Sequence, residues 1–231
     1  MHRTHEPDAA PPAPPLHHAR PALVVHTALR RELRLAGPVV RRVGGGDTRR
    51  ATVVSWHLEL VLRVLHDHHT LEDDLVWPPL RDRAGTDVAP LVELMALQHE
   101  RIHDAMERVA DLRRTWERAA DIATRDQLAG ALDDLHAALV EHLDVEEREV
   151  LWRAEVHLTD AEWGAVAAKA GTAHTGRERS LVFGMLQHEG DPEVLASMLA
   201  PAPAPVRFLV PRLARRAFRR HAAAIHGTPT P

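Results

Sequence analysis

Four successive helical segments of this chain carry apolar stripes, and histidines or histidine–acid pairs break into every stripe. In order they are His26, then His68 with Glu72, then His99 with His103, then His142 with Glu146. Each pair is spaced i, i+4, which places both side chains on one helix face about one turn apart. Imidazoles and carboxylates aimed into an apolar core are costly unless something neutralises them. Metal ions do that best.

The stripes can be followed residue by residue. A first helix over about 22–43 sets Leu23, His26, Leu33, Ala36 and Val40 on one face, and Gly44-Gly45-Gly46 ends it. Asp47 or Thr48 can cap the second helix. That helix carries Leu58, Leu62, Leu65, His68, Glu72 and Leu75 to a break at Trp77-Pro78-Pro79. Gly85-Thr86-Asp87 turns into a third, with Val92, Met95, His99, His103 and Met106, and Trp116 near its end. Thr124-x-x-Gln127 reads as a capping box opening a fourth, striped by Leu135, Leu139, His142, Glu146 and Val150. Long helices joined by short turns predict an all-α, up-down-up-down four-helix bundle. His26 and His99 fall early in their helices, His68 and His142 late, so antiparallel alternation brings all four to a similar height.

Single pairs are weak signals. Roughly two or three His-x-x-x-acid pairs are expected by chance in a chain this rich in both. His2/Glu6, His69/Asp73, His103/Glu107 and His174/Glu178 are others. The ordered set, one per helix at matched height, is the specific signal. The 18 histidines are the outlier of the composition. The chain has no cysteine, which excludes disulfides, thiolate nucleophiles and iron–sulfur or zinc-finger ligation. Having no tyrosine excludes a tyrosyl radical. A net charge of −4 gives no pull toward nucleic acid or an anionic membrane. No apolar run reaches membrane-spanning length, and no signal peptide is apparent, so a cytoplasmic location is expected.

Residues 1–20, Pro- and Ala-rich, read as a disordered tail in which His2, His5, His17 and His18 are solvated. The bundle is expected over 21–157. A C-terminal helical extension, 158–231, opens with a capping box at Thr159-x-x-Glu162. It continues in short helices near 160–171, 177–188 and 192–200. A stiff Pro201–Pro205 spacer leads to an Arg-rich helix over about 206–226 with a solvated basic face. This extension is the expected contact for any protein partner.

The donor set suits redox iron better than a thiolate-rich zinc site, with manganese or another divalent metal also compatible. Two glutamates on different helices can each bridge two metals, and five imidazoles fill terminal positions. Oxo, hydroxo or water must complete the coordination. A ferritin-like site would need Glu-x-x-His on two helices, and Glu100-x-x-His103 is the single match. His69/Asp73 sits about 100° around the helix from His68/Glu72. His68/Glu72 is preferred because it continues the Leu58–Leu65 stripe. His66, His69 and His136 lie near enough to support a ligand. Trp77 and Trp152 could plug one end of the pocket, and packing alone would also account for them. His57, His157, His188, His221 and His226 read as ordinary.

The ordered pattern resembles the hemerythrin family in its bacterial HHE cation-binding form, over about residues 20–155. His68-His69-Thr-Leu-Glu72-Asp73-Asp-Leu-Val-Trp77-Pro78 and Glu141-His142-Leu-Asp-Val-Glu146-Glu147 match its local signatures. The resemblance implies a non-heme di-iron centre. His99, His103 and His142 would hold one iron, His26 and His68 the other, and Glu72 and Glu146 would bridge them. The last acid is Glu146 or Glu147; Glu146 fits the bacterial form better. The expected function is binding of O2, NO or peroxide for sensing, storage or detoxification. If the chain is an enzyme, peroxide breakdown or NO reduction is expected. The alternative is an iron-responsive regulatory module that folds on metal and meets a partner through its C-terminal region.

Overall fold

A computed structural model describes residues 15–231 apart from Asp87 and Thr175. Of the disordered tail expected over residues 1–20, residues 1–14, with His2 and His5, lie outside the described residues, whereas residues 16–20 are ordered, with the backbone N–H groups of His18 and Ala19 donating to Glu155. Among the described residues the chain is helical with no strand. Four long helices, α1 (Arg20–Arg41), α2 (Thr48–Leu75), α4 (Ala89–Ala119) and α5 (Ile122–Val145), are joined by short connections. The short α3 (Trp77–Arg83) lies between α2 and α4. After α5 the backbone widens into one π-helical turn, Glu146–Val150, and continues as α6 (Leu151–His157). Then come α7 (Asp160–Thr172), α8 (Gly176–Glu189), α9 (Pro192–Leu199) and α10 (Ala204–His226).

The helix ends follow local chemistry. The Asp47 carboxylate caps α2 by accepting from Arg50 N at 2.9 Å. The cap of α5 is Asp121, which accepts from Thr124 N at 2.8 Å. The helix therefore starts at Ile122, and Thr124 lies inside the first turn instead of opening a capping box. The box at Thr159 and Glu162 does form and opens α7. The proline run before the last helix is shorter as a spacer than expected. Ala204 and Pro205 already belong to α10, because proline is tolerated in a first helical turn. Gly227, at φ 80°, ends α10 in the left-handed region.

α1 packs against α2 and α5, and α4 packs against the same two, so the long helices close a ring of contacts. Leu33, Leu58, Leu65, Leu132, Leu135 and Leu139 are fully buried inside it. Each contributes about 1.5–3 kcal/mol of transfer free energy. Leu181 and Met185 from α8, with Phe218, Ala222 and Ile225 from α10, join this same core. A second apolar cluster, with Val76, Trp77, Leu80, Val92, Met95, Val150 and Trp163, closes one end. Leu16 and Ala19 pack there too. Between the two clusters, every long helix contributes polar residues. Leu65 of α2 belongs to the main core and Val76, just past the end of α2, to the end cluster; His68, His69 and Glu72 fall between them. On α4, His99 falls between Met95 and Ile102. No described helix is long and apolar enough to cross a membrane.

Candidate metal centre

The polar layer is buried. His26, His142 and Glu146 have no exposed surface, and His68, His69, Glu72 and His99 are all below a tenth. Their ligand atoms form two overlapping quartets, His26, His68, Glu72 and Glu146 beside His69, Glu72, His99 and His142. In the first, His26 Nε2 lies 3.0 Å from His68 Nε2 and 3.5 Å from Glu146 Oε2. In the second, His99 Nε2 lies 3.2 Å from His142 Nε2, and His69 stacks on His99 with ring centroids 4.0 Å apart. The two carboxylates join the quartets. Glu72 points Oε1 at His68 Nε2, 3.3 Å away, and Oε2 at His99 Nε2, 3.6 Å away. Glu146 Oε2 lies 3.5 Å from His26 Nε2 and 3.6 Å from His142 Nε2.

The far sides of the rings orient them and hold a proton on Nδ1. His26 Nδ1 donates to Glu147 Oε1 at 2.9 Å, and His99 Nδ1 donates to Asp73 Oδ1 at 2.8 Å. A carboxylate only accepts, so Nδ1 carries a proton in each ring, and in the neutral form Nε2 is the free donor atom, aimed inward. His142 Nδ1 faces Gln98 Oε1 at 3.1 Å in the same sense. With both rings in that neutral tautomer, the Nε2 atoms of His99 and His142, 3.2 Å apart, both present lone pairs, an arrangement that suits a shared cation. His69 Nε2, Glu72 Oε2 and both Glu146 carboxylate oxygens are buried without a hydrogen-bond partner. Each such group costs about 1–3 kcal/mol unless a cation or proton occupies the gap. This donor set fits cations: neutral imidazole nitrogens oriented from behind, with carboxylates placed to be shared.

Electrostatics push the same way. Burial, then the neighbouring imidazoles, holds His68 and His69 well below the usual histidine range and His142 down at about 2. These rings are neutral at pH 7, the form that ligates. Burial, and then the proximity of Glu146, raises Glu72 well above the carboxylate range, and burial raises Glu146. Burial also opposes ionisation of Glu147. Hydrogen bonds from His26 and Arg30 outweigh it and keep that carboxyl low. Arg30 Nη1 lies 2.5 Å from Glu147 Oε1, and Arg30 Nη2 lies 2.7 Å from Asp144 Oδ1.

Of the seven residues expected from the sequence, His26, His68, Glu72, His99, His142 and Glu146 come together here. His103 does not. Its side chain is 56% exposed, with Nε2 3.5 Å from Glu107 Oε1. The buried stripe of α4 runs Met95, His99, Ile102, Met106 and Val109, so Ile102 takes the inward place and His103 turns outward. His69 stands in the layer instead. His68 and His69 are both inside because α2 borders both α1 and α4 and turns adjacent faces to the layer. The two i, i+4 pairs on α2 are therefore complementary: His68 and Glu72 point in with His69, and Asp73 supports His99 from behind. Between the adjacent acids of α5, Glu146 points in and Glu147 braces His26. The π-helical turn starts at Glu146, and π turns often mark functional positions. Gln98 gave no signal beyond standing next to His99. Trp77 is buried with its ring 6.1 Å from His99, whereas Trp152 is half-buried under Arg153. His66 is exposed, and His136 is half-buried near Asp133, Arg34 and Arg30.

No curated protein and no solved structure matches the chain. A family model does, the hemerythrin HHE cation binding domain, over residues 23–154. That span takes in every residue of the layer and more than half of the chain. The chain belongs to the hemerythrin HHE cation-binding domain family.

Proposed function

We propose that the buried layer holds two non-heme iron ions and that the protein binds a small ligand, O2, NO or peroxide, for sensing, storage or detoxification. The observation that carries this reading is Glu72, whose two oxygens face two different histidine groups. His26, His68, Glu72 and Glu146 would hold one ion, and His69, His99 and His142 the other with Glu72. Glu146 is positioned to be shared as well. His103 is left out of the proposed set and His69 takes its place. The bound irons would supply electrons and an open coordination position. The protein's own residues do the rest. Asp73, Glu147 and Gln98 hold the imidazoles in the ligating tautomer. Trp77, Val92, Met95 and Val150 keep water from the end of the layer. The contacts of α1 support the up-down arrangement read from the sequence. Arg41 at its end pairs with Asp133, and Arg30 nearer its start pairs with Asp144, so α1 and α5 run in opposite directions.

The test is stopped-flow absorption of the reduced, iron-loaded protein mixed separately with O2, NO and H2O2. A charge-transfer band with at least one of them is expected. Iron-loaded protein that responds to none of the three refutes the small-ligand reading.

A second reading is an iron-responsive module with a protein partner. It is favoured by α10, whose Phe208, Leu209 and Leu213 are each more than half exposed. Under it, the iron spectrum stays silent while iron removal unfolds the chain or releases the partner.

A further inference from the structure

A second buried cluster lies where α10 meets α1 and α2. Glu32 of α1, His57 of α2 and His226 of α10 offer ligand atoms all within 4.8 Å of one another. Their side chains are 3%, 1% and 4% exposed. This cluster is separate from the iron layer. Along α1, Glu32 is six residues from His26, about 9 Å at 1.5 Å per residue. Along α2, His57 is eleven residues from His68, about 16 Å.

Each of the three carries a polar atom with nothing to bind. Glu32 Oε2, His57 Nε2 and His226 Nδ1 are buried without a hydrogen-bond partner. His57 Nε2 and Glu32 Oε2 are 3.5 Å apart, and His226 Nε2 is 4.0 Å from the same oxygen. The His57 and His226 rings meet edge-on with centroids 5.7 Å apart. The other sides of Glu32 and His57 are already in use. Arg31 donates twice to Glu32 Oε1, from Nη2 at 2.6 Å and Nε at 3.1 Å, and leaves Oε2 free. Arg31 also reaches Glu189 at 3.2 Å, so one guanidinium is shared between two carboxylates. His57 Nδ1 is engaged by His221 Nε2 at 3.1 Å, which orients the ring and directs Nε2 at Glu32. Burial holds His57, His221 and His226 at about 4, so all three rings are neutral at pH 7.

We propose that Glu32, His57 and His226 form a second cation site, for a divalent ion of the zinc class, which pins the end of α10 onto α1 and α2. Two imidazoles and a carboxylate with a water in the fourth position are an ordinary zinc donor set. His221 is the positioning residue behind His57. The tie acts at the last turn of α10, where Arg50 already donates to the carbonyls of Ala224 and Ile225. The C-terminal helix would then be held by metal at its end and by Phe218, Ala222 and Ile225 along its length.

The test uses crystals of the full chain, freed of metal and soaked in zinc, with an anomalous difference map at the zinc edge. Position in the map separates this site from the iron layer. A peak between Glu32, His57 and His226 is the expected result; no peak there at saturating zinc overturns the proposal. In solution, zinc is expected to slow amide exchange in the last turns of α10 at least about 10-fold in the parent chain and not in His226→Asn. The variant should also bind one zinc fewer per chain. Equal zinc uptake and equal protection in parent and variant would count against the site. If the variant does not fold, the map of the parent protein decides.

Discussion

Replacing Glu72 with leucine separates a ligand from a structural residue, because the two roles predict opposite signs. Glu72 is 5% exposed, its Oε2 has no hydrogen-bond partner, and burial beside Glu146 raises its pKa well above the usual range. Without metal this carboxyl opposes folding. An apolar side chain of similar size should make the metal-free protein more stable by about 1–3 kcal/mol. With metal the order inverts. Ion at one hundred times its Kd stabilises the parent chain by about 2.7 kcal/mol, and a variant that has lost the shared ligand gains little. The assay is urea unfolding of chelator-treated protein followed by circular dichroism, with and without added ferrous ion under anaerobic conditions. The m-value should stay constant, so that midpoints report stability alone. Glu72→Leu should unfold at higher urea than the parent without iron and show almost no iron response. A metal-free variant destabilised by several kcal/mol, still stabilised by iron as much as the parent, would make Glu72 a structural acid and not a ligand.

Three further outcomes follow from the same geometry. His69→Ala should weaken iron binding about 10- to 100-fold or more in a competition titration with a coloured chelator, while His103→Ala should leave it unchanged; the reverse would restore the ligand set read from the sequence. Glu162, which caps α7 and pairs with Arg83 at 2.7 Å, is held down at about 2, chiefly by its hydrogen bond from Arg83. A depressed carboxyl contributes stability above its unfolded pKa, about 4.3, and loses it as pH falls through about 2. Carbon NMR of Glu162 should therefore give a midpoint near 2, and a midpoint near 4 would remove the pairing. Gly184 of α8 packs so tightly on α10 that a β-carbon there would lie 2.7 Å from Phe218 Cβ. Gly184→Ala should lower stability by about 1–3 kcal/mol in thermal unfolding, and an unchanged melting temperature would mean that α8 and α10 are not packed this closely.

Much of this arrangement was legible from residue spacing, because the polar layer obeys the helical period that the apolar stripes set. His26, His68, His99 and His142 could be levelled by counting from helix ends, and Asp47 marked one of those ends, as Thr159 did for α7. The failures have a common origin in rotation about the helix axis. An i, i+4 step advances 40° beyond a full turn, enough to carry His103 from the edge of the α4 stripe to the surface once Ile102 takes the inward place. On α2, whose partners lie on two sides, the same rotation allows adjacent His68 and His69 both to point inward, which a one-stripe reading forbids. Which of Glu146 and Glu147 turns inward depends on a π-helical turn that no residue type announces. The cluster of His57, His221 and His226 was invisible because it depends on where a distant helix docks. The Arg-rich sequence of α10 reads as solvated, while Phe218, Ala222 and Ile225 carry its buried face.

In the proposed centre, one buried layer of imidazoles and two shared carboxylates holds a pair of metal ions. X-ray absorption at the iron edge of the iron-loaded protein tests it most directly. Nitrogen and oxygen neighbours only, histidine scattering, and a second iron at about 3.5–4 Å are expected. Iron that binds with no iron neighbour, or a chain that retains no iron when correctly folded, would contradict it.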